Sequence, residues 1–267
     1  MPDPSTIVDR LRAAGCVWAE DEAAILSEAA GSAGELDDMI ARRASGLPLE
    51  QVVGWAEFRG LRIAVDPGVF VPRRRSEFLV QTAAGLAAGP AAVIVDLCCG
   101  TGALGLALAA ALSGAGLPRA GLPGAGLHAA DLDPAAVACA RKNVEPAGGR
   151  VHEGDLFGPL PDGLRQRVDI LVCNAPYVPT AQIAFMPPEA REHEARMALD
   201  GGSDGLAVLR RACAQAPGWL APGGFAIVEA SERQSAALAK AMADAGLAAG
   251  VHADEETGAT VVTGTRS

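Results

Sequence analysis

From residue 90 onward, short apolar strand-like runs alternate with Ala- and Leu-rich helical ones, and this alternation limits the fold more than any other feature. AAVIVDL reads as a buried strand and ALGLALAAAL as a helix. LHAADL is a strand, and DPAAVACARKNV a helix with Pro134 in its first turn. GRVHEGDL and VDILVCN are strands, LAVLRRACAQAPGWL a helix, GFAIVEA a strand and SERQSAALAKAMADAG a helix; ATVVTGT is the last strand. Strands joined through helices of this length need crossover connections, so the expectation is an α/β fold with a mostly parallel, doubly wound sheet. Ligands of such sheets sit beyond the carboxyl ends of the strands, near the point where strand order reverses.

The segment before residue 90 reads differently. Residues 5 to 45 carry Ile7, Val8, Leu11, Ile25, Leu26, Leu36 and Ile40 at helical spacing, interrupted at Gly31 and Gly34. In FRGLRIAVDPGVFV, Leu61, Ile63 and Val65 alternate before the turn Asp66-Pro67-Gly68, which predicts a hairpin with Val69 to Val71 as its second strand. Pro72 closes it, and Ser76 is placed to cap a helix from Glu77. SGAGLPRAGLPGAGLH, around 114 to 127, repeats small residues and reads as a loop insertion.

Composition serves mainly to exclude. The 267 residues are 50% hydrophobic and 20% charged, as in soluble globular chains. No run approaches the roughly 18 apolar residues of a membrane span, and the N-terminus lacks the basic-then-apolar order of a signal peptide; a cytoplasmic protein is expected. The six cysteines form no CxxC pair and have no histidine at metal-ligand spacing, so reduced thiols and no metal are expected. A net charge of −10 repels phosphate backbones, which disfavours nucleic acid as a direct substrate.

VDLCCGTGALG places Gly100, Gly102 and Gly105 in a GxGxxG spacing between strand and helix. A tight turn there lets backbone N–H groups approach a ligand at a helix N-terminus. Asp96, four residues before Gly100, would repel a pyrophosphate but suits the ammonium of a methionine moiety. That favours S-adenosylmethionine over NAD, with Asp96, Cys98, Cys99, Gly100, Thr101 and Gly102 around it. Asp131 ends the next strand, where a carboxylate accepts both ribose hydroxyls. Asp155 ends the third, placed for an adenine amino group, with Leu156 as an apolar wall.

VDILVCN then stops at Asn174, followed by Ala175, Pro176 and the only tyrosine, Tyr177. Ala175 precedes a proline and is pushed to extended backbone, so its carbonyl can point the same way as the Asn174 side-chain oxygen. Two adjacent acceptors match the two hydrogens of an NH2 group, and Tyr177 can lay its ring over that planar group. An amide nitrogen is a poor nucleophile; holding it and aiming it at a methyl donor lowers the barrier through orientation and charge stabilisation. No titrating base is needed first, and His128, His152, His193 and His252 read as structural.

These motifs together resemble the HemK/PrmC family of protein-glutamine N-methyltransferases, over almost the whole chain. GLPLEQVVGWAEFRGLRIAVDPGVFVPRRRSEFLV resembles the family's linker hairpin and PR-x-x-T/S-E element, DLCCGTGALGLALA its cofactor loop, ADLDPAAVACARKN its ribose strand and GDLF its adenine strand. EHEARMALDGGSDGL resembles its acidic AL-x-GG-x-DGL segment. The resemblance implies a seven-stranded, Rossmann-like class I methyltransferase domain over 76–267, a helical substrate-docking domain over 1–55 and a β-hairpin linker over 56–75. It implies a cofactor site at Cys98 to Gly102, Asp131, Asp155, Leu156 and Asn174, with S-adenosyl-L-homocysteine as product. It also implies a substrate glutamine at Asn174, Ala175, Pro176 and Tyr177, assisted by Arg73, and as partner a class I peptide-chain release factor presenting Gly-Gly-Gln. Ala175 stands where the family has the first proline of NPPY, Ala195 replaces another proline, and Cys98 and Cys99 replace smaller residues. Two other readings remain at this stage: methylation of an exocyclic adenine amine, and a cofactor-binding protein without turnover.

Overall fold

A computed structural model describes residues 4–87, 93–113 and 126–267. All but the end of the 114–127 insertion, and the first two residues of AAVIVDL, lie outside the described residues. The chain opens with four helices: α1 (Pro4–Ala13), α2 (Ala19–Ala29), α3 (Ala33–Ala44) and α4 (Leu49–Val53). The break at Gly31 is enforced by a cap: the Ser32 hydroxyl accepts from the Glu35 N–H, while Glu35 Oε2 accepts from the Gly31 N–H. Ile7, Leu11, Leu26, Leu36 and Ile40 meet in one buried cluster, and each such side chain contributes roughly 1.5–3 kcal/mol by leaving water.

A hairpin is present, but its pair of strands and its turn are not the predicted ones. β1 (Trp55–Phe58) pairs antiparallel with β2 (Leu61–Ala64), Phe58 opposite Leu61. Arg59 and Gly60, with φ of 50° and 73°, form the turn; two positive φ values match the twist of a tight hairpin. Ala56 and Phe58 are buried and Glu57 exposed, a short alternation that the longer Leu61–Val65 pattern masked. Asp66-Pro67-Gly68 does turn the chain, since the Val69 N–H donates to the Asp66 carbonyl. The segment after it leaves β2, and Gly68 bridges to Glu194 instead. Helix α5 (Glu77–Leu86) begins where expected, but Ser76 does not cap it through its side chain. A single 3-10 turn, Arg74–Ser76, leads in, and the buried Ser76 hydroxyl faces Asn174.

The main sheet has seven strands: β3 (Val93–Leu97), β4 (Gly126–Asp131), β5 (Arg150–Glu153), β6 (Val168–Cys173), β7 (Leu220–Glu229), β8 (Ala248–Asp254) and β9 (Ala259–Thr265). Their order is β5-β4-β3-β6-β7-β9-β8. The first five run parallel, and β9 is antiparallel to both its neighbours. Helices α6 (Ala103–Ser113), α7 (Pro134–Val144), α8 (Pro188–His193), α9 (Ala207–Gln215) and α10 (Glu232–Asp244) complete the chain. Ile94, Ile170, Val172 and Ile227 face one apolar layer, and Val95, Leu171, Cys173 and Val228 the other. Burial on both faces is why these strands read as continuous apolar runs. Strand β8 carries no such run: it is an exposed, Ala-rich edge. Strand order reverses between β3 and β6, which places the ends of these two strands side by side.

Candidate active site

A cavity of about 350 Å³ opens at the carboxyl ends of β3, β4 and β6, within the size range of cofactor pockets. Cys98, Cys99, Gly100 and Thr101 form one wall, and Asn174 to Tyr177 another. The sharp turn after β3 needs positive φ at Cys98 (53°), Gly100 (55°) and Gly102 (78°). A Cβ at Gly100 would meet no protein atom within 4 Å, so the glycine keeps open space at the wall. Gly102 lies off the wall and serves packing: a Cβ there would come within 2.6 Å of Val144 on α7. Gly105 has the same role, with Leu127 and Asp96 2.8 and 2.9 Å from where its Cβ would be.

Asp96 departs from the expectation. It is fully buried beneath the loop rather than on the cavity wall. Its Oδ2 accepts from the Gly105 N–H at 2.8 Å, tying the first turn of α6 to β3, and Oδ1 has no partner among the described residues. Burial pushes its pKa up to about 8, so a fixed negative charge waiting for an ammonium is not what this position offers.

Asp131 sits where predicted. Oδ2 accepts from the Gly100 N–H (2.8 Å) and Oδ1 from the Asp133 N–H (2.9 Å), so one carboxylate locks the glycine loop to the end of β4. Burial raises its pKa and the two N–H donors oppose that rise. Each oxygen accepts one N–H bond and so retains further acceptor capacity. Asp133 caps α7 by accepting from the Ala135 N–H. At the third strand end, Leu156 is buried at φ 49° and lines the cavity. Asp155 also lines it, but its carboxylate is paired with Arg211 of α9. All six cysteines are free. The Cys98 thiol abuts Cys173, and that contact together with burial holds its pKa well above the ordinary value, so it is a neutral wall group. His128 and His152 stack with centroids 5.3 Å apart, and neither belongs to the cavity wall.

The NAPY loop is fixed from behind. The Val178 N–H donates to the Leu199 carbonyl and the Gly201 N–H to that of Val178. Gln234 Nε2 donates to the Tyr177 carbonyl at 2.9 Å. A Cβ at Gly201 would lie 2.6 Å from the Pro176 carbonyl oxygen, and one at Gly205 2.2 Å from that of Tyr177. Gly201 and Gly205 of ALDGGSDGL are thus the surface on which the loop rests. Asn174 Nδ2 donates to Ser76 Oγ at 3.4 Å. That leaves Asn174 Oδ1 and the Ala175 carbonyl as acceptors without protein partners among the described residues.

Arg73 lines the cavity as expected, but its guanidinium pairs at 2.5 Å with Glu194, whose side chain is fully buried and also accepts from the Val71 N–H. Its charge therefore braces the wall and is not left free for substrate. Arg75 reaches the Tyr177 hydroxyl at 2.6 Å and Glu229 at 3.2 Å. Sequence reasoning passed over Glu229 and Gln234. For Glu229 the signal was present: a carboxylate ending an apolar strand, the pattern that drew attention to Asp96.

A family model described as "Methyltransferase small domain" matches residues 60–213. A release factor glutamine methyltransferase of Mycolicibacterium smegmatis is 39% identical, over 77% of this chain and 69% of that one. The chain belongs to the release factor glutamine methyltransferase family. A namesake from Geobacter sulfurreducens is 42% identical over 72% of this chain, which spans 63% of that relative's length. One from Deinococcus radiodurans is 37% identical over 81% and 74% of the two chains. Two solved structures share the fold: a Pyrococcus furiosus methyltransferase (TM-score 0.57, 16% identity, 86% of this chain and 99% of that one), and the hMettl16 catalytic domain in complex with a MAT2A 3′UTR hairpin (TM-score 0.55, 17% identity, 86% and 82%). The family's class I methyltransferase architecture is the fold seen here.

The cavity residues fit S-adenosylmethionine. Asp131 keeps acceptor capacity that would suit a ribose diol, Leu156 is an apolar lining residue that would suit an adenine face, and the Cys98–Thr101 turn leaves room at Gly100.

Proposed function

We propose that this protein methylates the side-chain amide nitrogen of a glutamine in a protein substrate, the Gly-Gly-Gln loop of a class I peptide-chain release factor. When bound, S-adenosylmethionine supplies an electrophilic sulfonium methyl group, leaving as S-adenosyl-L-homocysteine. The observation that carries this reading is the pair of unpartnered acceptors, Asn174 Oδ1 and the Ala175 carbonyl, on the same cavity as the glycine turn after β3. Two acceptors of this kind take the two N–H bonds of a carboxamide, and the Tyr177 ring offers its plane a stacking face. Holding the nitrogen in line contributes roughly 7–11 kcal/mol of barrier reduction. Each neutral hydrogen bond adds only about 1 kcal/mol net, so placement outweighs binding strength. The replacement of proline by Ala175 leaves the backbone acceptor in place. The names of the curated relatives support a release factor as partner. The net charge of −10 weighs against a nucleic-acid substrate. No helix among the described residues is long and apolar enough to cross a membrane, and we place the activity in the cytoplasm, where release factors work. Residues 1–55 form the proposed docking domain for the protein substrate.

Incubation with labelled S-adenosylmethionine and purified release factor tests the reading. Label is expected on the glutamine of Gly-Gly-Gln and not on a Gly-Gly-Ala variant. Label on nucleic acid, or equal label on both release factors, overturns it.

A further inference from the structure

We propose that Arg75 and Glu229 are positioning residues that clamp the Tyr177 hydroxyl and thereby fix the plane of its ring at the substrate amide; this rests on the glutamine-methylating reading above. Three side chains close a ring of hydrogen bonds. Arg75 Nη2 donates to Tyr177 Oη at 2.6 Å, Tyr177 Oη donates to Glu229 Oε1 at 3.0 Å, and Arg75 Nε donates to the same oxygen at 3.2 Å. The guanidinium fork therefore spans the phenol and its acceptor, which a lysine's single ammonium matches poorly. The three come from distant parts of the chain: the 3-10 turn before α5, the NAPY loop and the end of β7.

Fold stability alone does not account for the arrangement. The Glu229 side chain is 3% exposed, and its Oε2 has no hydrogen-bond partner among the described residues. A buried carboxylate with one oxygen unsatisfied is costly, and an apolar side chain of similar size would avoid that cost. What the carboxylate supplies is an acceptor behind the phenol. Tyr177 and Arg75 both line the cavity, while Glu229, which accepts from the hydroxyl, does not. With both sides of the hydroxyl engaged, the ring loses its freedom to swing at its first two torsions, so a carboxamide meets a face already set. The phenol keeps its proton, because burial and the Glu229 charge push its pKa upward. The donor side of the clamp thus persists through the working pH range. The same turn carries Ser76, which meets Asn174, so residues 75 and 76 brace both ends of the loop.

Tyr177 is the only tyrosine in the chain, so ultraviolet phenolate absorbance reports on this group alone. In Glu229→Gln the titration midpoint is expected to fall towards the ordinary value of about 10. In Tyr177→Phe and Arg75→Ala, kcat on a Gly-Gly-Gln peptide is expected to fall about tenfold, the worth of one hydrogen bond to a charged group. Cofactor Kd should stay at the wild-type value, and Arg75→Lys should recover part of the rate. Arg75→Ala added to Tyr177→Phe should cost far less than it does alone, since the shared hydroxyl is already gone. An unchanged midpoint in Glu229→Gln, or rate losses that multiply in the double variant, overturns the clamp. If wild-type protein methylates no glutamine peptide while the midpoint still falls in Glu229→Gln, the clamp stands and the glutamine reading fails.

Discussion

Gly205→Ala probes the idea that the NAPY loop is held in place from behind. The added Cβ would lie 2.2 Å from the Tyr177 carbonyl oxygen and 2.4 Å from Gln234 Nε2, the atom that donates to that oxygen. An ordinary carbon–oxygen contact is about 3.3 Å, so the carbonyl must retreat by about 1 Å. The glycine also sits at φ +77°, where any side chain is strained. Left-handed strain, overpacking and the lost Gln234 bond together cost about 3–6 kcal/mol. A 1 Å displacement of a substrate-holding loop costs roughly a hundredfold in rate. Asp131 and Gly100 hydrogen-bond to each other and not to this loop, so cofactor affinity should hold. Gly223→Ala is the control: it has the same φ of +77° but nothing within 4 Å of its Cβ, so it should lose about 1–2 kcal/mol and no activity. Urea denaturation, calorimetry with S-adenosylmethionine and single-turnover methyl transfer measure the three quantities. Wild-type transfer by Gly205→Ala, or equal losses in the two variants, would refute the reasoning.

Arg43→Ala should destabilise the helical N-terminal region by about 3–5 kcal/mol, because it strands the buried Glu22 carboxylate and breaks the link to Glu189; denaturant unfolding measures it. Ala175→Pro should keep the transfer rate and gain about 0.4–1 kcal/mol, since the Ala175 N–H donates no hydrogen bond among the described residues; kinetics and thermal unfolding check both. The pKa of His128 is lowered from 6.5 to about 4 by burial, then by His152 and Arg150. A depressed folded pKa means stability is present above the unfolded value and lost as pH falls through that window. Wild type should therefore lose more unfolding free energy between pH 6.5 and 4 than His128→Gln does; equal slopes would contradict the burial argument.

Strand and helix periodicity carried most of the main sheet, because strands buried on both faces leave long apolar runs such as VIVDL and DILVC. Strand β8 was illegible: at an exposed edge its Ala-rich sequence has no face to bury. The hairpin turn was misplaced because a strong turn tripeptide, Asp66-Pro67-Gly68, outweighed the two-residue Arg59-Gly60 turn whose signal is only its backbone sign. The residues lining the cavity were legible where strands end, at Asp131, Leu156 and Asn174. Those acting from behind were not, since Arg75, Glu229 and Gln234 meet Tyr177 only once distant segments pack together. Asp96 shows the converse error. A carboxylate at a strand end looks the same in sequence whether it faces a cavity or a helix N–H, and the packing of Gly105 against Leu127 decides which.

The proposed methyl transfer rests on two oxygens, Asn174 Oδ1 and the Ala175 carbonyl, taking one NH2 group. Single-turnover transfer to a Gly-Gly-Gln peptide by Asn174→Ala, at saturating S-adenosylmethionine, tests it most directly. Loss of one preorganised partner should slow the step by about 10²–10³-fold while the protein stays folded; transfer at the wild-type rate would contradict it.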